Sequence, residues 1–195
     1  MHLVSRQKVD IGSISISDTI KPESASAIAS LKKLGIHTAM LTGDSEETAK
    51  AVAADTGIDT VYSKLLPGDK LDILKKLRKE HGNAMFVGDG INDAPVLAGA
   101  DVGAAMGSGA DAAIEAADVV FMTSSMEAIP ESIRIAKQTG SIAYQNVVFA
   151  LAIKALVMVL GLFGIASMWM AVFADSGVAM LCVLNSIRVL YKKNK

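Results

Sequence analysis

Two aspartates four positions apart, Asp89 and Asp93, stand with Asn92 in a glycine-rich turn. The turn directly follows the apolar run Ala84-Met85-Phe86-Val87, in the stretch VGDGINDAPVLAGADVGAAMGSG from 87 to 109. Hard oxygen ligands at the end of a buried strand, in a turn that glycine keeps open, suit Mg²⁺, which takes one or two protein carboxylates plus water and phosphate oxygens. Ligand chemistry in open α/β sheets gathers at the carboxyl ends of strands, so position and residue type point the same way. Other readings of the stretch fail on spacing. An EF-hand loop begun at Asp89 needs Glu at its twelfth position, where Ala100 stands, and no Gly-Lys-Ser/Thr triplet supplies a Walker A loop. Gly107-Ser108-Gly109-Ala110-Asp111-Ala112 matches a dinucleotide-binding pattern, but no acidic residue ends the following strand, Val119 to Met122, where the ribose partner belongs.

A second candidate is MLTGDSEETAK, residues 40 to 50. A strand that runs into Thr42-Gly43-Asp44 and then a helix start offers a hydroxyl and free backbone N–H groups, which together hold a phosphoryl oxygen. The same sequence also serves as an ordinary strand-to-helix turn. Lys70, in LLPGDK, is a cation able to neutralise phosphate, or a solvated lysine in the first turn of a helix.

The elements that must position these residues alternate along the chain. Ile36 to Leu41 reads as a strand and Ser45 to Thr56 as a helix capped by Asp44 or Ser45. Asp69 to Glu80 carries an apolar helical stripe at 71, 73, 74 and 77, and Ala84 to Val87 is the next strand. Val102 to Met106 and Val119 to Met122 follow, separated by the alanine-rich Ala110 to Ala117. Strand and helix in repetition predict a Rossmann-like parallel sheet covered by helices on both faces. Val9 to Ser17 alternates like a half-buried strand with nothing before it to pair with.

Of the 195 residues 51% are hydrophobic, too many for an ordinary soluble domain, and the excess is local. Residues 141 to 195 carry Lys154, Arg188, Lys192, Lys193 and Lys195 against the single acid Asp175, whereas the rest of the chain is net acidic. That balance gives no nucleic-acid footprint. The lone Cys182 excludes an intrachain disulfide, and the N-terminus has no apolar core long enough for a signal peptide. Val147 to Gly164 and Met168 to Leu184 are apolar runs of 18 and 17 residues with one charge each. About 20 residues at ~1.5 Å per residue cross a ~30 Å hydrocarbon layer, so two spans joined by a tight turn at Gly164 to Ser167 are expected in the lipid bilayer. Tyr144 and Tyr191 would mark one interface and Trp169 the other, and the YKKNK ending places the C-terminus and the soluble part in the cytoplasm. The charges inside the spans, Lys154 and Asp175, lie ten residues before Gly164 and eight after Ser167, at matching depth. Such residues usually face the bundle interior and mark an ion path, the alternative being a structural ion pair that only holds the two helices together.

Taken together, a hydroxyl after one strand, a lysine opening a helix and GDGxND after the next strand resemble the haloacid dehalogenase superfamily. With the membrane hairpin added, LTGD, PGDK and GDGINDAPVLAGADVGAAMGSG resemble the P-type ATPases over nearly the whole chain. Asn146 followed eight residues later by Lys154, then Asp175-Ser176-Gly177, is similar to the zinc, cadmium and lead exporters of that family rather than the copper ones. The resemblance implies an ATP-driven ion translocase in the cell membrane. Thr42, Gly43, Asp44, Lys70 and Asn92 would serve the transferred phosphoryl group, and Asp89 and Asp93 would bind Mg²⁺. Lys154 and Asp175 would lie on the path of a transported Zn²⁺, Cd²⁺ or Pb²⁺. Asp18 would mark where the chain re-enters the phosphorylation domain, 18–140, after the last strand of a nucleotide domain, 1–17, with the helix pair at 141–191 and a basic tail at 192–195. The family's phosphorylated aspartate lies in Asp-Lys-Thr-Gly-Thr, and neither that pentapeptide nor the family's Cys-Pro-Cys occurs here. The expectation is therefore an incomplete domain from a longer transporter, inactive alone. A membrane-anchored phosphatase with Asp18 as nucleophile, and a non-catalytic fragment that associates with an intact pump, are the alternatives.

Overall fold

The computed structural model describes residues 2–6, 9–14 and 19–191; Ser15 to Asp18 and the basic tail 192–195 lie outside the described residues. The chain divides into two compact units, Met1–Ala128 and Ile129–Lys195.

In the first unit β1 (His2–Arg6) pairs antiparallel with β2 (Val9–Ile14). The alternating segment thus has a partner after all. It went unseen because β1 places Leu3 and Val4 side by side instead of alternating them with polar residues. Next come α1 (Ser24–Lys33), β3 (Ala39–Leu41), α2 (Glu46–Thr56), β4 (Thr60–Tyr62) and α3 (Pro67–His81). They are followed by β5 (Met85–Gly88), a 3₁₀ turn at Ile91–Asp93, α4 (Ala94–Gly99), β6 (Val102–Met106), α5 (Asp111–Ala116) and β7 (Val119–Phe121). β3 pairs parallel with β4, and β5, β6 and β7 form a second parallel sheet in that order. Helices connect the parallel strands, as a crossover between parallel neighbours requires.

Ser45, rather than Asp44, caps α2: its side chain accepts from the Thr48 N–H at 3.3 Å. α3 opens with Pro67, whose missing N–H costs nothing in a first turn, and Asp69 accepts from the Leu66 N–H at 2.9 Å. Leu74 and Leu77 of α3 are buried, as are Val96 and Leu97 of α4. Against them β6 presents Ala104 and Ala105, both fully buried, so backbone and helix come close. A Cβ at Gly103 would stand 2.5 Å from the Leu97 carbonyl oxygen. Burying each valine or leucine contributes about 1.5–3 kcal/mol.

The amino ends of the strands share a device. Asp59, just before β4, accepts from the Thr38 N–H at 2.9 Å and the Thr38 hydroxyl at 2.7 Å, and pairs with Lys32 at 2.7 Å. Asp101, before β6, accepts from the Ala84 N–H at 2.9 Å and pairs with Arg78. Asp118, before β7, accepts from the Gly103 N–H at 2.8 Å. Each carboxylate thus takes a backbone N–H of the neighbouring parallel strand and fixes register at the end opposite the conspicuous turns. The bonds from Lys32 and Thr38 hold the Asp59 carboxyl well below the usual carboxylate range, and the Ala84 N–H, with Arg78, lowers Asp101.

In the second unit α6 runs unbroken from Ala128 to Leu162. The expected connecting helix near Ser125 to Gln145 and the first apolar span are therefore one element, and the units divide at its start rather than at residue 140. Nothing in the sequence between them breaks a helix; Gly140 is tolerated within it. Gly164, at φ 71°, closes the turn. Ser167 then caps α7 (Met168–Val172), a π-helical turn covers Phe173–Gly177, and α8 (Val178–Tyr191) completes the return. α6 and the segment Met168–Leu190 are each long and apolar enough to cross a membrane. Their less exposed residues form helical stripes, Ile142, Asn146, Ala150, Ile153 and Val157 on one, Ala174, Gly177, Val178, Cys182 and Asn185 on the other. Small residues in such a stripe let two backbones approach.

Candidate functional site

The first candidate site grows from the carboxyl ends of β3, β4 and β5. Thr42 follows β3, and its N–H donates to the Tyr62 carbonyl at 2.9 Å, carrying the β3–β4 ladder one step further. Its hydroxyl donates to the Asp44 carboxylate at 2.7 Å and accepts from the Asp44 N–H at 3.1 Å, so residues 42 to 44 close on themselves. The Lys64 N–H donates to the Asp44 carbonyl at 2.9 Å and the Leu65 N–H to the Thr42 carbonyl at 3.1 Å. Lys64 holds φ 56°, a left-handed conformation uncommon outside glycine. Gly43 is exposed, with only the Leu65 carbonyl near the place a Cβ would take, at 3.4 Å.

Residues 64 and 65 lead into α3. Lys70 shares a face with Leu74 and Leu77, at i, i+4 and i+7, so the face that buries the leucines also turns Lys70 inward. Its ammonium lies 2.7 Å from Asp93 Oδ1, with the two side chains only 19% and 12% exposed. Lys70 is therefore not the solvated lysine that the sequence left open. The Gly90 N–H donates to the other Asp93 oxygen at 3.3 Å. Gly88 and Gly109 make the turn possible. A Cβ on Gly88 would stand 2.8 Å from Asp93 Cβ, and one on Gly109 would stand 2.9 Å from the Asp89 carbonyl oxygen. The Ala110 N–H donates to that carbonyl at 2.8 Å.

Asp89 itself is exposed, and its carboxylate has no partner among the described residues; the same holds for the Asn92 side chain. Thus the two aspartates of the turn differ: Asp93 is engaged by Lys70, and Asp89 is open. Among the described residues no cluster of three or more His, Cys, Asp and Glu is placed to hold a metal ion. Asp18 lies outside the described residues.

A family model described as haloacid dehalogenase-like hydrolase matches residues 4–101, just over half of the chain, and a second of the same description matches 71–133. The chain belongs to the haloacid dehalogenase-like hydrolases. It is also 54% identical, over 94% of its length, to a cadmium, zinc and cobalt-transporting ATPase of Bacillus subtilis (strain 168). A zinc-transporting ATPase of Synechocystis sp. (strain ATCC 27184 / PCC 6803 / Kazusa) is 52% identical over 91% of the chain. The chain spans only about a quarter of these relatives, 27% and 25% of their lengths. Among solved structures, a zinc-transporting PIB-type ATPase in its E2.Pi state superposes with a TM-score of 0.89 at 38% identity, covering 96% of this chain and 31% of the other. The parallel sheets are thus those of a haloacid dehalogenase-like domain, and the two apolar helices accompany it as part of a chain similar to metal-transporting P-type ATPases.

The second candidate site of this dehalogenase-like chain is in its helix pair. Lys154 of α6 donates to Asp175 Oδ1 at 2.9 Å, and Asp175 sits in the π-helical turn. The side chains are 53% and 76% exposed. Two residues that the sequence did not mark, Asn185 and Ser186, form a second polar point two to three turns away along the same helices. Asn185 and Ser186 of α8, with the Cys182 carbonyl, bind the amide of Asn146. Two polar residues at the spacing of Asn185 and Ser186, in an otherwise apolar run, were the available signal.

Proposed function

We propose that the chain is the phosphoryl-transfer unit and a membrane hairpin of an ATP-driven exporter of zinc, cadmium or lead ions. The observation that carries this reading is the Lys70–Asp93 pair set beside the free carboxylate of Asp89. A lysine held by a mostly buried carboxylate is pre-positioned, so it meets a phosphoryl group without first losing the freedom of a surface side chain. The Thr42 hydroxyl, whose proton now goes to Asp44, would have to turn that proton away to donate to a phosphoryl oxygen, and the exposed backbone at Gly43 would offer a further contact. Asn92 stands exposed on the same turn as Asp89.

Mg²⁺ fits the donor set, since it accepts one or two carboxylates and fills its shell with water and phosphate oxygens. Asp89 would hold it, with Asp93 behind, and the ion would neutralise charge on the phosphoryl oxygens. β3 pairs with β4 and β5 with β6, which leaves each one open edge among the described residues. A strand bearing the family's Asp-Lys-Thr-Gly-Thr, from another part of the full-length protein, suits that place.

In the helix pair, Asp175 would supply carboxylate oxygen to the transported ion, while Lys154 holds Asp175 between ions and replaces the departing charge. Oxygen alone favours hard ions, so preference for zinc or cadmium would come from softer ligands elsewhere. Arg188 near the C-terminal end of α8, and Lys192 and Lys193 beyond it, support a cytoplasmic placement for that end. The test is transfer of label from γ-labelled ATP to the full-length protein that carries this chain. Lys70→Ala should lower the acyl-phosphate yield by about 10² or more, the scale of losing one preorganised charge contact. An unchanged yield would remove the phosphoryl-transfer assignment.

A further inference from the structure

The contact between Lys154 and Asp175 requires that α6 and α8 meet in one register, and the apolar part of their interface does not specify it. Ala150, Ile153 and Val157 on one helix and Ala174 and Val178 on the other belong to the less exposed stripes, which repeat every three to four residues, so a slip of one turn exchanges one small or branched apolar residue for another. Asn146 breaks that degeneracy. Its Nδ2 donates to the Cys182 carbonyl at 3.1 Å and the Ser186 hydroxyl at 2.9 Å. Its Oδ1 accepts from Asn185 Nδ2 at 2.8 Å, and Asn185 Oδ1 in turn accepts from Arg188 at 2.9 Å. The Asn146 amide is thereby used on both its donor and its acceptor side by α8 alone.

We propose that Asn146 and Asn185 are positioning residues that set the helical register and so deliver Lys154 to Asp175. Asn146 lies eight residues from Lys154, about 12 Å along the helix, and Asn185 lies ten from Asp175, about 15 Å before the smaller rise of the wider π-helical turn is allowed for. The antiparallel helices are therefore joined at two polar points that agree in spacing. A slip of one turn, about 5.4 Å, breaks both at once and leaves amides unpaired in apolar surroundings, the way a single asparagine fixes register in a coiled coil. The role rests on the transport reading only for what the Lys154–Asp175 pair does, not for how the pair is brought together.

The test uses the 195-residue chain with Cys182→Ser, reconstituted in phosphatidylcholine vesicles and treated with a short bifunctional thiol reagent. One sample carries Lys154→Cys with Asp175→Cys, which removes the ion pair and leaves register to the asparagines. Two others place the second cysteine one turn away, Lys154→Cys with Ala171→Cys or with Ala179→Cys. Asn146→Leu, and separately Asn185→Leu, should lower the cross-link at 154/175 about tenfold, which corresponds to about 1.4 kcal/mol, and raise a one-turn-shifted product. An unchanged yield at 154/175 would overturn the proposal. So would a parallel fall in all three pairs, which is what loss of general packing gives. No transported ion or nucleotide is present, so the result reads register whether or not the chain belongs to an exporter.

Discussion

Lys70 Nζ lies 2.7 Å from Asp93 Oδ1, although 23 residues separate the two. The pair ties the first turn of α3 to the turn after β5 and is mostly shielded from water. Removing one partner of a buried pair leaves the other charge uncompensated, at a cost of about 3–5 kcal/mol when burial is complete. Lys70→Ala should therefore destabilise the soluble unit by up to about 3 kcal/mol, and Lys70→Ala combined with Asp93→Ala by less than the two single changes summed. Urea unfolding in detergent micelles checks this, and additive costs would show that the pair is not coupled.

Gly109 should tolerate no side chain. The place of its Cβ is 2.9 Å from the backbone oxygens of Asp89 and Met106, and backbone cannot swing aside. Gly109→Ala should cost about 1–3 kcal/mol as overpacking and should displace Asp89. Gly68→Ala, where nothing lies within 4 Å, is the matched control.

Mg²⁺ should bind this chain weakly, since one open carboxylate and one engaged carboxylate are on offer and Mg²⁺ dehydrates reluctantly. Asp89→Asn should weaken the binding further in a calorimetric titration. A titration curve that Asp89→Asn leaves in place would strike Asp89 from the site.

The acid sensitivity of the sheet should centre on Asp59. Its folded carboxyl lies far below its ordinary value because Lys32 and Thr38 stabilise the charged form. A lowered folded pKa contributes stability above the unfolded value near 4 and loses it as pH falls from there toward the folded value. Asp59→Ala should thus lower stability at pH 7 by about 1.5–3 kcal/mol, the worth of hydrogen bonds to a charged group. The difference from wild type should shrink below about pH 4. A gap that stays constant across that range would contradict the clamp.

Much of this was legible before the structure. The strand before Gly88-Asp89-Gly90 and the one before Thr42-Gly43-Asp44 announce themselves because a buried run has to stop where glycine and carboxylates begin. β4 was not legible, since Thr60-Val61-Tyr62 is three residues long and becomes a strand only by pairing with β3. α1 was missed because its serines are weak helix formers, although Ala27, Ile28 and Leu31 bury one face. Lys70 carried its signal in the 70, 74, 77 spacing, but its partner did not, because a contact across 23 residues is made by packing. The same is true of Asn146 and Asn185. Asp89 and Thr42 stood out by residue type at strand ends and Asp175 as a charge inside an apolar run, and the resemblance then joined them into one function.

If this chain carries the phosphoryl-transfer and ion-path residues of a metal exporter, as proposed, Lys154 and Asp175 govern transport and ATP hydrolysis together. The most direct test is ATP-dependent zinc accumulation by sealed inverted vesicles containing the full-length protein, wild type against Asp175→Ala and Lys154→Ala. Wild-type vesicles should accumulate zinc, Asp175→Ala should abolish accumulation and zinc-stimulated ATP hydrolysis together, and Lys154→Ala should impair both. Accumulation and hydrolysis that neither substitution changes would contradict the proposal.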